Sequence, residues 1–285
     1  MGVDGGSGAR LPDADGRLVG ADPGWLAART EADSDARRST LDHLVPALLD
    51  HLGAAGAGEV AVLDVGAGTG ANQRWLRPHV PLPQRWVQLD RDPTLARVIP
   101  SDPETVLVTG DITVVPGLLN TLPSGRRILT CAALLDVVSA DGVRLLCATA
   151  AAARAPALFS LTITGAWDLE PVDPLDAPLR RAFDDHQRRG GLAGPGAIRI
   201  AVEACRAAGA TILTAPTDWH LDVRSGQEFV DRFLRERVAA ASEMVPGLSE
   251  PARVWLTRRR EQLADSDLRI RVGHRDLLAL PPKLR

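Results

Sequence analysis

Three glycines at alternate positions, Gly66, Gly68 and Gly70, follow the apolar run VAVLDV, with Asp64 just ahead of them. A glycine turn after a buried strand presents backbone N–H groups and lets a ligand approach where side chains would block it. The turn, GAGTGA, has no Gly-Lys-Ser or Gly-Lys-Thr and so lacks the groups that hold nucleotide phosphates and magnesium. Its Gly-x-Gly-x-Gly spacing also departs from the Gly-x-Gly-x-x-Gly of dinucleotide folds. Acids then recur after apolar segments: Asp90 closes WVQLD, Asp111 follows ETVLVTG, and Asp136 closes CAALLD. Carboxylates so placed accept hydrogen bonds from ligand hydroxyls or take a proton during a reaction.

The string VLDVGAGTG resembles the first motif of class I S-adenosylmethionine-dependent methyltransferases, and later segments agree in order and spacing over about residues 59–167. The resemblance implies that Gly66, Ala67, Gly68 and Gly70 turn around the amino-acid end of S-adenosylmethionine. It implies that Asp64 orients this turn or reaches the ligand's ammonium, and that Asp90, with Arg91 beside it, serves the ribose hydroxyls. By the same resemblance Asp111 and Ile112 lie at the adenine, and Cys131, at the end of the fourth strand, lies near the methionine part. The implied reaction is in-line methyl transfer to an O, N or C nucleophile, in which the protein positions the nucleophile and stabilises changing charge. Amino methyltransferases of nucleic acids carry an Asn/Asp-Pro-Pro-aromatic segment where this chain has CAALLD, so a small-molecule acceptor is expected.

Asp136 is the first candidate for a base or acceptor ligand; a cap on the following helix is its alternative. His186 is the second, since it can take a proton near neutral pH, with Asp184 and Arg189 close by in AFDDHQRR. An exposed polar helix is the competing reading of that segment. Trp167 with Asp168 and Trp219 with His220 end two further strands and are candidates to flank an acceptor. No metal is expected, because no His-x-x-x-His or His/Asp cluster is present. A non-catalytic S-adenosylmethionine-binding module is one alternative function. An NAD-linked oxidoreductase is another, disfavoured by the glycine spacing and by the absence of any Tyr.

These residues need a scaffold, and strand and helix patterns alternate along the 285 residues. The order predicts an α/β fold: a Rossmann-like, mostly parallel, seven-stranded sheet with helices on both faces. Strands are expected at 59–66, 85–92, 104–112, near 127–132, 157–167 and 210–221. A last strand around 268–280 is placed at the sheet edge or beside the sixth. Residues 1–22 read as a flexible tail, 23–56 as a helical cover interrupted at Pro46, and 57–285 as the main domain. Within that domain, 167–196 is the acceptor-side segment and 225–266 a helical insertion, serving either as lid or as dimer surface. A net charge of -3 without a basic stripe argues against nucleic-acid binding, and no twenty-residue apolar span or secretory signal is seen. Three separated cysteines fit a reducing, cytoplasmic setting, and the chain is expected to be a monomer or homodimer.

Overall fold

The computed structural model describes residues 22–53, 58–94, 102–123 and 125–282. Residues 1–21 of the expected tail lie outside the described residues. Five parallel strands form the body of the sheet: β1 (Val60–Val65), β2 (Gln84–Asp90), β3 (Thr105–Thr109), β4 (Arg127–Ala132) and β5 (Ala157–Glu170). The last strand, β8 (Arg269–Leu280), runs antiparallel between β5 and β6 (Thr211–Pro216), giving the order β3-β2-β1-β4-β5-β8-β6. It is therefore an interior strand beside the sixth, and its near-continuous burial follows from having neighbours on both sides. The single strand expected over 210–221 is divided: after β6 the chain breaks, and a short β7 (Trp219–Leu221) pairs further along β8. That makes eight strands among the described residues where seven were expected.

β1 shows how the sequence pattern serves two layers. Leu63 and Val65 pack with α5 (Val115–Thr121), α6 (Ala140–Ala152) and α8 (Ala197–Ala207). Val60 and Val62 pack on the other face with α3 (Val45–Leu52) and α4 (Ala71–Leu76). A strand covered on both faces must be apolar throughout, which is why VAVLDV carries only one polar residue. Pro46 does not break the cover. It sits in the first turn of α3, where its missing N–H costs no helical bond, directly after a π-helical turn at Thr40–Leu44.

β5 and β8 extend past the other strands and carry a third apolar cluster with α7 (Asp176–Gln187), α9 (Gln227–Met244) and α10 (Ser249–Ala264). Trp167, Trp219, Phe229, Phe233 and Trp255 make its core, and Trp25 of α1 (Pro23–Ala28) joins it. The N-terminal segment is also tied down beyond α2 (Thr30–Ala36). Buried Arg37 reaches Ser160 Oγ at 2.9 Å and lies 3.7 Å from Asp276 Oδ2, while its guanidinium stacks on Trp75. Asp276, with no exposed surface, also accepts from Thr40 Oγ1 (2.8 Å), Thr217 Oγ1 (2.9 Å) and the Leu161 amide (2.6 Å). One carboxylate thus joins the N-terminal cover to β5, β8 and the β6–β7 break.

Candidate functional site

Two cavities meet at the carboxyl ends of β1 and β4, the point where the strand order reverses and where open α/β sheets bind ligands. Gly66 and Val137 line both. The larger, about 420 Å³, runs along Asp90, Arg91, Asp111, Ile112, Leu134 and Gly142. Its size falls in the range of small-ligand sites, roughly 300–1,000 Å³. The smaller, about 140 Å³, lies between the glycine turn and the helical cover.

The glycine turn works differently from the donor cradle its sequence suggests. Gly66 and Ala67 donate their amides to Leu89 O at 2.7 and 3.1 Å, and Gly68 donates to Asp90 Oδ2 at 2.8 Å. Three N–H groups are thus spent holding the turn against β2. What the glycines supply is shape: φ is +67° at Gly66 and +57° at Gly68, and a Cβ on Gly66 would come within 2.7 Å of Leu134 Cδ1. Gly70 (φ +78°) begins α4 and lines neither cavity, whereas Ala67 lines the smaller one. Asp90 is buried, and its Oδ1 accepts the Asp92 amide at 3.0 Å. Asp90 therefore anchors the turn as well as lining the larger cavity.

Asp64 lies beneath the turn with no exposed surface, accepts from Asn72 Nδ2 at 2.8 Å, and lines neither cavity. Burial pushes its carboxyl up to about 7. Asn72 itself lines the smaller cavity and also reaches Thr130 Oγ1 at 3.1 Å, so Asp64 bears on the site through Asn72. Exposed Asp111 caps a 3-10 turn by accepting the Thr113 amide at 3.0 Å, with Ile112 half-buried beside it on the cleft wall. Cys131 is in the core below β4 and lines neither cavity. Burial raises its thiol pKa. The parity of β4 places Cys131 on the core face while Ala132 reaches the cavity.

Asp136, buried on a 3-10 turn after β4, lines the smaller cavity. His186 does not. On α7 it is Phe183 and Gln187, four residues apart and on one stripe, that face the cavity. His186 turns to α9, with Nε2 3.2 Å from Glu243 Oε2, and burial lowers its pKa. Arg189 pairs with the same Glu243. Trp167 packs edge-on against Trp255, and Asp168 pairs with Arg271 on the surface. Trp219 lines the cavity while its neighbour His220 is exposed on the opposite face of β7.

The histidine that does line the cavity is His274 of β8. Its Nδ1 is 3.1 Å from Val272 O, so that nitrogen carries the proton and Nε2 keeps the lone pair. Burial, with Arg29 nearby, pushes its pKa down to about 3, so the ring is neutral at working pH. A signal existed in the sequence. The alternation Leu268, Ile270, Val272 continues to His274 and Asp276, two ionisable residues at positions the pattern assigns to the interior. Arg29, Asp33, Glu236 and Arg237 complete the charged lining. Ala133 (φ +51°), just past the end of β4, and Leu161 (φ +55°), at the register shift within β5, also line it. Left-handed backbone at non-glycine residues costs about 1–3 kcal/mol and gathers at functional sites. Among the described residues no His/Cys/Asp/Glu group could hold a metal, and no helix is long and apolar enough to cross a membrane.

No protein-family model and no curated protein matches the chain. Solved structures do. A cyclopropane synthase of Mycobacterium tuberculosis is 15% identical with a TM-score of 0.42, over 82% of this chain and 83% of that one. A precorrin-6y C5,15-methyltransferase of Geobacter metallireducens is 11% identical with a TM-score of 0.42, over 84% and 87%. The YcgJ protein of Bacillus subtilis is 15% identical with a TM-score of 0.46, over 82% and 97%. At this distance the fold class rests on the chain's own sheet order and glycine turn. By those two features the chain has a Rossmann-like α/β fold, a mostly parallel sheet flanked by helices.

Proposed function

We propose that this chain transfers a methyl group from S-adenosylmethionine to a small-molecule acceptor. The observation that carries the reading is the pair of cavities joined at Gly66 and Val137, one beside Asp90 and one beside Asp136 and His274. The residues present fit the cofactor. Ile112, Leu134, Val138 and Leu145 make an apolar slot for a flat base. Asp90 lines the slot and its carboxylate already accepts the Gly68 and Asp92 amides, and a carboxylate in that place can also accept a ribose hydroxyl. Asn72 and Arg29 lie where the amino-acid end would enter the smaller cavity. When bound, the cofactor supplies an electrophilic methyl on a positively charged sulfur.

The chain's own residues then hold the nucleophile in line and keep water out. His274 Nε2 accepts the hydrogen bond that aims the nucleophile, and the proton released once the methyl group has been transferred goes to Asp136, the carboxylate that can keep it. Trp25 and Trp219 close the cavity from the cover side. The space is small. At about 140 Å³ it is no larger than the roughly 150 Å³ cavity that admits benzene. The methionine end and the reacting part of the acceptor must share it, which favours a small acceptor over a polymer.

Calorimetric titration with S-adenosylmethionine and S-adenosylhomocysteine tests the reading, with NAD as control. Both sulfur ligands are expected to bind and NAD is not; binding of NAD alone would reverse the assignment. Asp90→Asn is expected to weaken S-adenosylhomocysteine binding about 10–100-fold, the effect of losing hydrogen bonds to a charged group, ~1.5–3 kcal/mol. It should also lower the melting temperature by a few degrees, because Asp90 holds the Gly68 amide. Unchanged affinity would remove Asp90 from the cofactor site.

A further inference from the structure

Arg237 is the cation in the smaller cavity that has no carboxylate within ion-pair distance among the described residues. Arg29 is paired with Asp33 at 2.9 Å, and Arg232, just outside the lining, is paired with Asp22 and Glu236. Arg237 instead stacks between two aromatic rings, its guanidinium carbon 3.3 Å from the Phe233 centroid and 4.7 Å from that of Phe183. Its Nη1 donates to the Phe233 carbonyl at 3.3 Å, and among the described residues its buried Nε has no partner. Burial lowers its pKa to about 9, which still leaves it charged at neutral pH. A guanidinium held flat by two rings and stripped of water binds a planar carboxylate strongly, because the desolvation has already been incurred in the free protein.

We propose that Arg237 docks a carboxylate on the methyl acceptor, and that the acceptor is a single-ring acid whose apolar body lies against Phe183, Leu161 and Ile163. The proposal rests on the methyltransferase reading above. Three observations choose the substrate class. The cavity is small, Phe183, Leu161 and Ile163 give it an apolar wall, and its one arginine without a carboxylate in ion-pair distance among the described residues is Arg237. A carboxylate also exists on the cofactor's methionine end, so its source must be decided. Arg237 belongs to α9 and stacks on α7, whereas the glycine turn is covered by α1: Leu26 Cδ1 would lie 3.5 Å from a Cβ on Gly68. This places Arg29 by the cofactor's carboxylate and leaves Arg237 for the acceptor.

The test is calorimetric titration of the full chain, saturated with S-adenosylhomocysteine, with benzoate, 4-hydroxybenzoate and the neutral isostere benzamide. The acids are expected to bind and benzamide to bind about tenfold more weakly or not at all. Arg237→Gln should abolish that preference, and Arg237→Lys should keep part of it, with both variants retaining S-adenosylhomocysteine affinity. Thermal unfolding shows that each variant is folded. The proposal is overturned if acid and amide bind alike, if neither binds, or if Arg237→Gln keeps the preference. It is equally overturned if Arg237→Gln weakens S-adenosylhomocysteine instead, since the carboxylate docked there is then the cofactor's. Failure of the wild type to bind S-adenosylhomocysteine would sink the methyltransferase reading, while the benzoate and benzamide titrations of the free protein would still decide the role of Arg237.

Discussion

Asp276→Ala is expected to destabilise the protein by about 3–5 kcal/mol, the usual result of removing one partner of a buried ion pair. The melting temperature should fall by roughly 6–20 °C, at about 2–4 °C per kcal/mol for a chain of this size class. The reason is the number of elements that meet at one carboxylate. Thr40 reaches it from the N-terminal cover, Leu161 from β5 and Thr217 from the break before β7, and buried Arg37 lies beside it. Removing it leaves the Arg37 guanidinium, whose pKa burial already lowers to about 10, without its nearest countercharge. The Arg37→Met/Asp276→Leu double variant should recover a large part of the loss, because an apolar pair of similar volume avoids the uncompensated charge. Thermal and urea unfolding measure both. A single-variant loss below about 1 kcal/mol would mean that the cover is fixed by apolar packing alone.

The same network explains what could be read from the sequence and what could not. β1, its glycine turn and α6 were legible because they obey local rules. A strand buried on both faces is apolar throughout, and Ser139 caps α6 by accepting the Gly142 amide. Asp136 was legible only as a candidate, because a carboxylate after a strand end can face the pocket or cap the next helix; the structure puts it in the cavity lining. His186 was not, because a helix offers several polar residues and only packing decides which stripe turns inward. Phe183 and Gln187 took the cavity and His186 took Glu243. The register of β8 was equally hidden. Its antiparallel insertion between β5 and β6 brings His274 to the cavity and Asp276 to the buried network beneath the cover from the far end of the chain, a pairing of high sequence separation that no local pattern specifies. Arg237 and Arg29 reach the cavity from helical segments outside the sheet, where each is one of several charged residues and nothing in the local pattern singles it out.

His274→Phe is expected to reduce turnover about a hundredfold or more while leaving S-adenosylhomocysteine affinity within about twofold. The substitution keeps a ring against Trp219, whose centroid lies 4.8 Å away, and removes the lone pair at Nε2. A neutral imidazole with a pKa of about 3 cannot hold a proton at pH 7, so its contribution is geometric: it accepts the hydrogen of the nucleophile and aims the opposite lone pair at the methyl group. Loss of such aim lowers kcat more than it raises KM, because a misplaced nucleophile still binds. His274→Gln, which restores an acceptor oxygen, should recover part of the rate, and Asp136→Asn should be the more severe change for acceptors that must lose a proton. For an acceptor already ionised at the working pH, both losses should shrink. The pH–rate profile separates the two residues further. Since His274 stays neutral above about pH 3, the phenylalanine variant should lower the profile without moving its limbs between pH 5 and 9. Equal falls in melting temperature and turnover, with no rescue by glutamine, would instead assign His274 to packing against Trp219 and leave Asp136 as the residue that addresses the acceptor.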